Sequence, residues 1–235
     1  MGWYAKPSGA YDIESNEAQQ NMFMVSEYLQ SVGWSTVAIA GLLGNVKEES
    51  GFNPWRWQGD THTTSGGYGL VQFTPSTYYI GGRGLDADFA SYYAPNESVT
   101  QITSGADAHD GRAQLMTIEK YHADKFLDRT SYCDYADISS AYPYSSYKQL
   151  TNLWIATVGW LFDYEFPASE NREYNDAYAR YQSAMRCYEI ITGEEPPEPP
   201  DPPTPPTPPT PTSSNKMPLY FYMGKRFKQK KGLIV

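Results

Sequence analysis

A chain of 235 residues with 40% hydrophobic content can bury one substantial core, or one core and an appendage. Its net charge of −9 is unevenly spread: residues 216–235 hold six basic and no acidic side chains, residues 193–212 hold four acidic and no basic ones, and the rest carries 12 Lys/Arg against 23 Asp/Glu. Such an acidic body argues against nucleic acid as a partner, two cysteines exclude a disulfide scaffold or a zinc pair, and the longest apolar stretches, such as 154–162, fall far short of the roughly 20 residues that span a bilayer.

No cationic leader with an apolar stretch opens the chain, which predicts synthesis in a cytoplasm without a secretory signal. The 21 tyrosines and six tryptophans suit contact with sugar rings, and suit protein contacts equally well.

In chain order, residues 1–16 read as an arm, and Ser15-Asn16-Glu17 caps a helix through about Ser31 with Met22, Val25 and Leu29 on one face. Gly33 ends it. Ser35 caps a second helix whose Val37, Ile39, Leu42, Leu43 and Val46 form a broad apolar surface, with Gly41 and Gly44 permitting close approach of a neighbour. Glu48 and Glu49 stand at its C-terminal end, where the helix dipole disfavours a carboxylate. From Phe52 to Phe73, Trp, Gly, Thr and Tyr with turn residues predict a short β-hairpin or loop region. Helices are predicted again over 75–80, 106–126, 150–165 and 170–191, with a loop-rich stretch at 131–147. The fold class is therefore α+β, mostly helical with a small β-hairpin lobe. A body over 17–192 leads into a Pro-rich linker at 193–215, whose Pro-Pro-Thr repeat predicts extended polyproline II, and a basic, aromatic tail at 216–235 reads as a docking peptide.

The segments Gly44-Asn45-Val46-Lys47-Glu48-Glu49-Ser50-Gly51-Phe52-Asn53-Pro54, Gly67-Tyr68-Gly69-Leu70-Val71-Gln72-Phe73-Thr74-Pro75 and Trp160-Leu161-Phe162-Asp163-Tyr164-Glu165-Phe166-Pro167 together resemble the phage tail lysozyme family and its wider lysozyme and lytic transglycosylase superfamily. The resemblance spans about residues 17–191. It implies a lysozyme-like fold and cleavage of the β-1,4 glycan backbone of peptidoglycan, of the muramidase type. It also implies a virion setting: a protein made in the host cytoplasm, carried on the phage tail, and acting on the extracellular wall during penetration.

Cleaving a glycosidic bond needs a carboxylic acid that keeps its proton near neutral pH, which apolar neighbours favour. Glu49, with Phe52, Trp55 and Trp57 close in sequence, is the expected acid. Glu48, about 100° away on the helix, is assigned to solvent or a salt bridge. A second carboxylate acts as nucleophile or activates water, and Asp60 is the expected one, although it also suits a turn. Trp57 and Tyr68 are expected to stack on sugar, Gly69 to let it approach, Gln72 to bond its N-acetyl group, and Tyr164 to line the cleft. Glu165 is assigned to an ion pair or a cap. His62, His109 and His122 lack metal-ligand spacing, so no metal or cofactor is expected. The expected partners are peptidoglycan glycan strands and, through the C-terminal tail, a phage tail structural protein. A lytic transglycosylase, a free endolysin and a non-catalytic wall-binding tail protein are the alternatives.

Overall fold

The computed structural model describes residues 2–6, 9–61, 63, 65–79 and 109–197, with the backbone alone for 109 and 110. His62, the linker beyond residue 197 and the basic tail lie outside the described residues.

The body is helical. Helix α1 runs Asn16–Ser31 and α2 runs Thr36–Glu49, each started by a serine outside the helix. Ser15 accepts from the amide of Ala18 at 3.2 Å and Ser35 from that of Ala38 at 3.0 Å, satisfying amides that have no partner within the first turn. The Ser35 hydroxyl also donates to the carbonyl of Leu150 at 2.6 Å, fixing the start of α2 to a distant loop. Helix α3 is His109–Lys125, α4 the short Tyr144–Tyr147 and α5 Leu153–Gly159, started by Asn152, whose side chain accepts from Ile155. The chain then widens into a π-helical turn, Trp160–Glu165, before α6, Tyr174–Thr192. Gly193, at φ 73°, ends α6 and donates its N–H to the carbonyl of Glu189.

Helix α2 is the axis of the core because its sequence leaves it almost no polar face: every residue from Ala38 to Val46 is buried. Burial of Ile39, Leu42, Leu43 and Val46 contributes about 1.5–3 kcal/mol each. The two glycines set its contacts. A Cβ at Gly41 would lie 2.7 Å from Ala156 of α5, and one at Gly44 would lie 2.4 Å from the carbonyl oxygen of Arg180 and 2.7 Å from Ala184 Cβ, both on α6. The N-terminal arm closes the far side. Trp3 is buried against Gly111, and the fully buried Asn21 donates to the carbonyls of Tyr4 and Phe52 and accepts from the Tyr4 amide. Cys133 and Cys187 are free thiols.

The expected β-hairpin lobe appears only as isolated pairings. Among the described residues, 52–79 hold only isolated antiparallel bridges, Trp57 to Tyr68 and Tyr68 to Phe73, with no extended strand. The reason is local: Gly59, Asp60, Gly69 and Gln72 all take positive φ, between 44° and 83°, and each breaks the extended run that a strand needs. The predicted helix at 75–80 is a single 3-10 turn, Ser76–Tyr78, and Ile80 lies outside the described residues.

Candidate active site

Glu49 is the last residue of α2, the end at which the helix dipole disfavours negative charge. A cation compensates. Arg180, on the facing side of α6 and only 7% exposed, donates from Nη2 to Glu49 Oε1 at 2.9 Å. Its other terminal nitrogen donates to Asn45, to the side-chain oxygen at 3.2 Å and to the carbonyl at 3.4 Å. The Asn45 amide nitrogen in turn donates to the carbonyls of Gly41 and Thr157, which leaves its oxygen facing the guanidinium. Three helices thus fix one arginine, and that arginine fixes one carboxylate. Neighbouring Glu48 turns aside to pair with Lys47 at 2.8 Å.

The π-helical turn supplies the second carboxyl. Its wider spiral ends where Phe166, at φ 43°, donates its N–H to the carbonyl of Leu161 five residues back. Within the turn, the fully buried Trp160 stacks on Tyr164 with ring centroids 4.1 Å apart and donates its indole N–H to Glu165 Oε1 at 2.9 Å. Burial of the carboxyl and the nearby charge of Glu49 push the Glu165 carboxyl well above the usual carboxylate range, against the opposing pull of the Trp160 hydrogen bond, Arg180 and Lys125.

Glu49, Glu165, Arg180, Tyr164, Gln72 and Arg56 all line one cleft of about 740 Å³. A cleft of this size holds a ligand of a few sugar rings. Of the residues expected from sequence, the structure therefore brings together Glu49, Gln72 and Tyr164.

It does not bring the other four. Asp60 does not line the cleft; it sits at φ 53° in a 3-10 turn and accepts from the backbone amide of Gly9 at 2.9 Å, so the turn assignment describes it. Trp57 and Tyr68 are 1% and 0% exposed and pack on each other at 4.6 Å in the core, with no face open to a sugar. The space beside Gly69, at φ 83°, belongs to Gln114, whose side-chain oxygen lies 2.4 Å from where a Cβ would be. Gln114 accepts from the Leu70 amide and donates to the Pro54 carbonyl, so this glycine serves packing. Gln72, though in the cleft, spends its amide nitrogen on the carbonyls of Gly69 and Arg56, which leaves its oxygen for a ligand.

The sequence reading did not include Arg180, and it assigned Glu165, which accepts from Trp160, to an ion pair or a cap. Nothing local marks Arg180, 131 residues from Glu49. Glu165 was visible in its motif, and the π-turn places it in the cleft. Among the described residues, no group of three or more His, Cys, Asp or Glu is placed to hold a metal ion.

Comparison with known proteins agrees with the region this site occupies. The family model described as phage tail lysozyme matches residues 20–191. Morphogenesis protein 1 of Bacillus phage B103 is 44% identical over 69 residues, which are 29% of this chain and 19% of that protein. The chain thus matches about a fifth of that relative's length.

Proposed function

The chain belongs to the phage tail lysozyme family, and on that premise we propose that its cleft cleaves the β-1,4 glycan backbone of peptidoglycan, with the chemistry centred on Glu49. One observation carries the reading: the matched region folds so that two carboxyls, Glu49 and Glu165, share a single cleft with Tyr164 and Gln72. Glycoside cleavage needs a group that protonates the leaving oxygen and a carboxylate that stabilises or activates what replaces it. Tyr164 offers an apolar edge for a sugar face, and the Gln72 oxygen can accept from an N-acetyl N–H.

The setting proposed is the virion, where the enzyme opens the wall locally as the tail penetrates. A relative named as a morphogenesis protein accords with a phage particle. A basic, aromatic C-terminal tail on a proline-rich spacer would fix the domain to a tail structural protein and raise its local concentration at the wall.

Mass spectrometry of soluble fragments released from purified peptidoglycan tests the activity. Reducing N-acetylmuramic acid ends identify a muramidase, and 1,6-anhydro ends identify a lytic transglycosylase, in which a substrate hydroxyl takes the place of water. Absence of any release from several wall types rejects the reading in favour of a non-catalytic wall-binding protein.

A further inference from the structure

Two groups of residues with different chemistry line the cleft. The π-turn and α6 bring the acids Glu165 and Asp176. The loop region contributes residues 56, 58, 59 and 71–74, among which there is no carboxylate and one cation, Arg56.

Arg56 stands between Trp55 and Trp57, both buried in the core, and is itself half-buried where it lines the cleft. Its backbone is held on the loop: its carbonyl accepts from the Gly69 amide at 2.8 Å and from Gln72 Nε2 at 3.2 Å. Its guanidinium is not engaged by an acid. At the cleft, Arg180 pairs with Glu49 at 2.9 Å and Lys47 with Glu48 at 2.8 Å, and among the described residues no ion pair includes Arg56. Two residues on, Gln58 uses its side-chain oxygen to accept from the Gly67 amide at 2.9 Å, which leaves its amide nitrogen to donate. A guanidinium has donors and no acceptor. This part of the cleft therefore offers positive charge and N–H donors together, which suits a carboxylate.

The rest of the protein works against such a ligand. Outside the linker and the tail, 12 Lys/Arg stand against 23 Asp/Glu, so an anion is repelled at long range. Salt screens that field beyond about 8–10 Å, and at contact a charge-assisted hydrogen bond outweighs it.

We propose that Arg56, with Gln58 beside it, forms a carboxylate subsite that selects glycan bearing peptide stems. The inference rests on the glycan-cleaving reading and names its substrate class. In peptidoglycan the lactyl carboxyl of N-acetylmuramic acid is joined to the stem as an amide, so the sugar rings are neutral and the free carboxylates belong to the stem amino acids. Arg56 binds one of these in the same cleft as Glu49. The group it binds takes no part in breaking the glycosidic bond, so its effect falls on KM more than on kcat.

The test uses the full chain and soluble glycan oligomers of one length, freed of wall phosphate, in two forms: stem carboxyls free, or converted to primary amides. Wild type should prefer the free-carboxyl form by about 10-fold or more in kcat/KM, the size of a hydrogen bond to a charged group, with the difference in KM. Arg56→Gln should bring that ratio to about one. Arg56→Lys keeps the charge without the planar fork and should restore part of the preference. A structural role for the side chain predicts instead equal losses on both forms, and the backbone carbonyl that holds Gly69 and Gln72 is present in either variant. Equal kcat/KM of wild type on the two forms overturns the subsite and leaves the glycan-cleaving reading standing. A preference that Arg56→Gln keeps in full overturns it too. A wild type that cleaves neither form removes the functional reading, and its binding to the two uncleaved forms then decides the subsite: tighter binding of free carboxyls, lost in Arg56→Gln, supports it, and equal affinity overturns it.

Discussion

Asp163 shows how much one buried side chain can cost inside a π-turn that serves the site. It is 0% exposed; one carboxyl oxygen accepts from the Arg129 amide at 3.1 Å, and the other has no partner among the described residues. Burial pushes its carboxyl up to about 6, from about 4 in an unfolded chain. A raised acid binds its proton more tightly in the folded state, so its contribution to stability is full below about pH 4 and is lost as pH rises through about 6. Asp163→Asn should therefore remove a pH-dependent loss on the order of 1–3 kcal/mol between pH 4 and pH 7, read as the difference in unfolding free energy between variant and wild type. At the same scale, Glu49 was legible because an acid at a helix C-terminus breaks a local rule, and such breaks attract explanation. Gly-Asp in a loop carries the same letters whether it faces a cleft or holds a turn, and Asp60 sits in a turn. Aromatic residues near a motif do not disclose which way they face, and Trp57 and Tyr68 face inward.

Helix α2 brings Glu49 to the site and α6 brings Arg180, and both depend on the missing side chain at Gly44. A methyl there meets the Arg180 carbonyl at 2.4 Å and Ala184 Cβ at 2.7 Å. Backbone contacts that close do not yield to a rotamer change, so the helices must part. Gly44→Ala should cost on the order of 1–3 kcal/mol in chemical denaturation and lower activity further than that loss explains, because Arg180 retreats with its helix. Unchanged activity at reduced stability would show that the ion pair tolerates the shift. A second tie joins α3 to the loop that carries Gly69. Gln114→Ala leaves the Leu70 amide and the Pro54 carbonyl without their partner and should destabilise by on the order of 3 kcal/mol, measured by thermal and urea unfolding. Helices α1 and α2 were readable from serine caps and apolar spacing, and the close approach at Gly41 and Gly44 was readable from glycine within an apolar helix. The π-turn was not, since its i to i+5 bonding leaves no period in the sequence that differs from the preceding helix. Within the expected hairpin region, positive-φ residues other than glycine, Asp60 and Gln72, interrupt the extended chain, a conformation their letters do not announce.

At the scale of the whole molecule, the charge is split in sign between an acidic body and the basic residues 216–235. If the C-terminal region is a tether, as proposed, removing residues 198–235 should leave cleavage of soluble glycan fragments within about twofold of the full chain and weaken attachment to a particle component, because local concentration is all that a tether supplies. Loss of activity on soluble fragments would contradict the tether. The helical body and its family resemblance were legible because three separated motifs fall within one core, whereas the partnership of Glu49 with Glu165 and Arg180 needed the tertiary fold that closes residues 49, 165 and 180 around one cleft.

The most direct test of the central claim compares initial rates of glycan-end release from purified peptidoglycan by wild type and Glu49→Gln, alongside their binding to the same insoluble wall. A carboxyl that gives or takes a proton in the reaction contributes about 10²–10⁴-fold, so the account predicts a fall of that size with wall binding and thermal midpoint retained. Glu49→Gln cleaving at the wild-type rate would contradict it, as would a wild type that binds the wall and releases no ends.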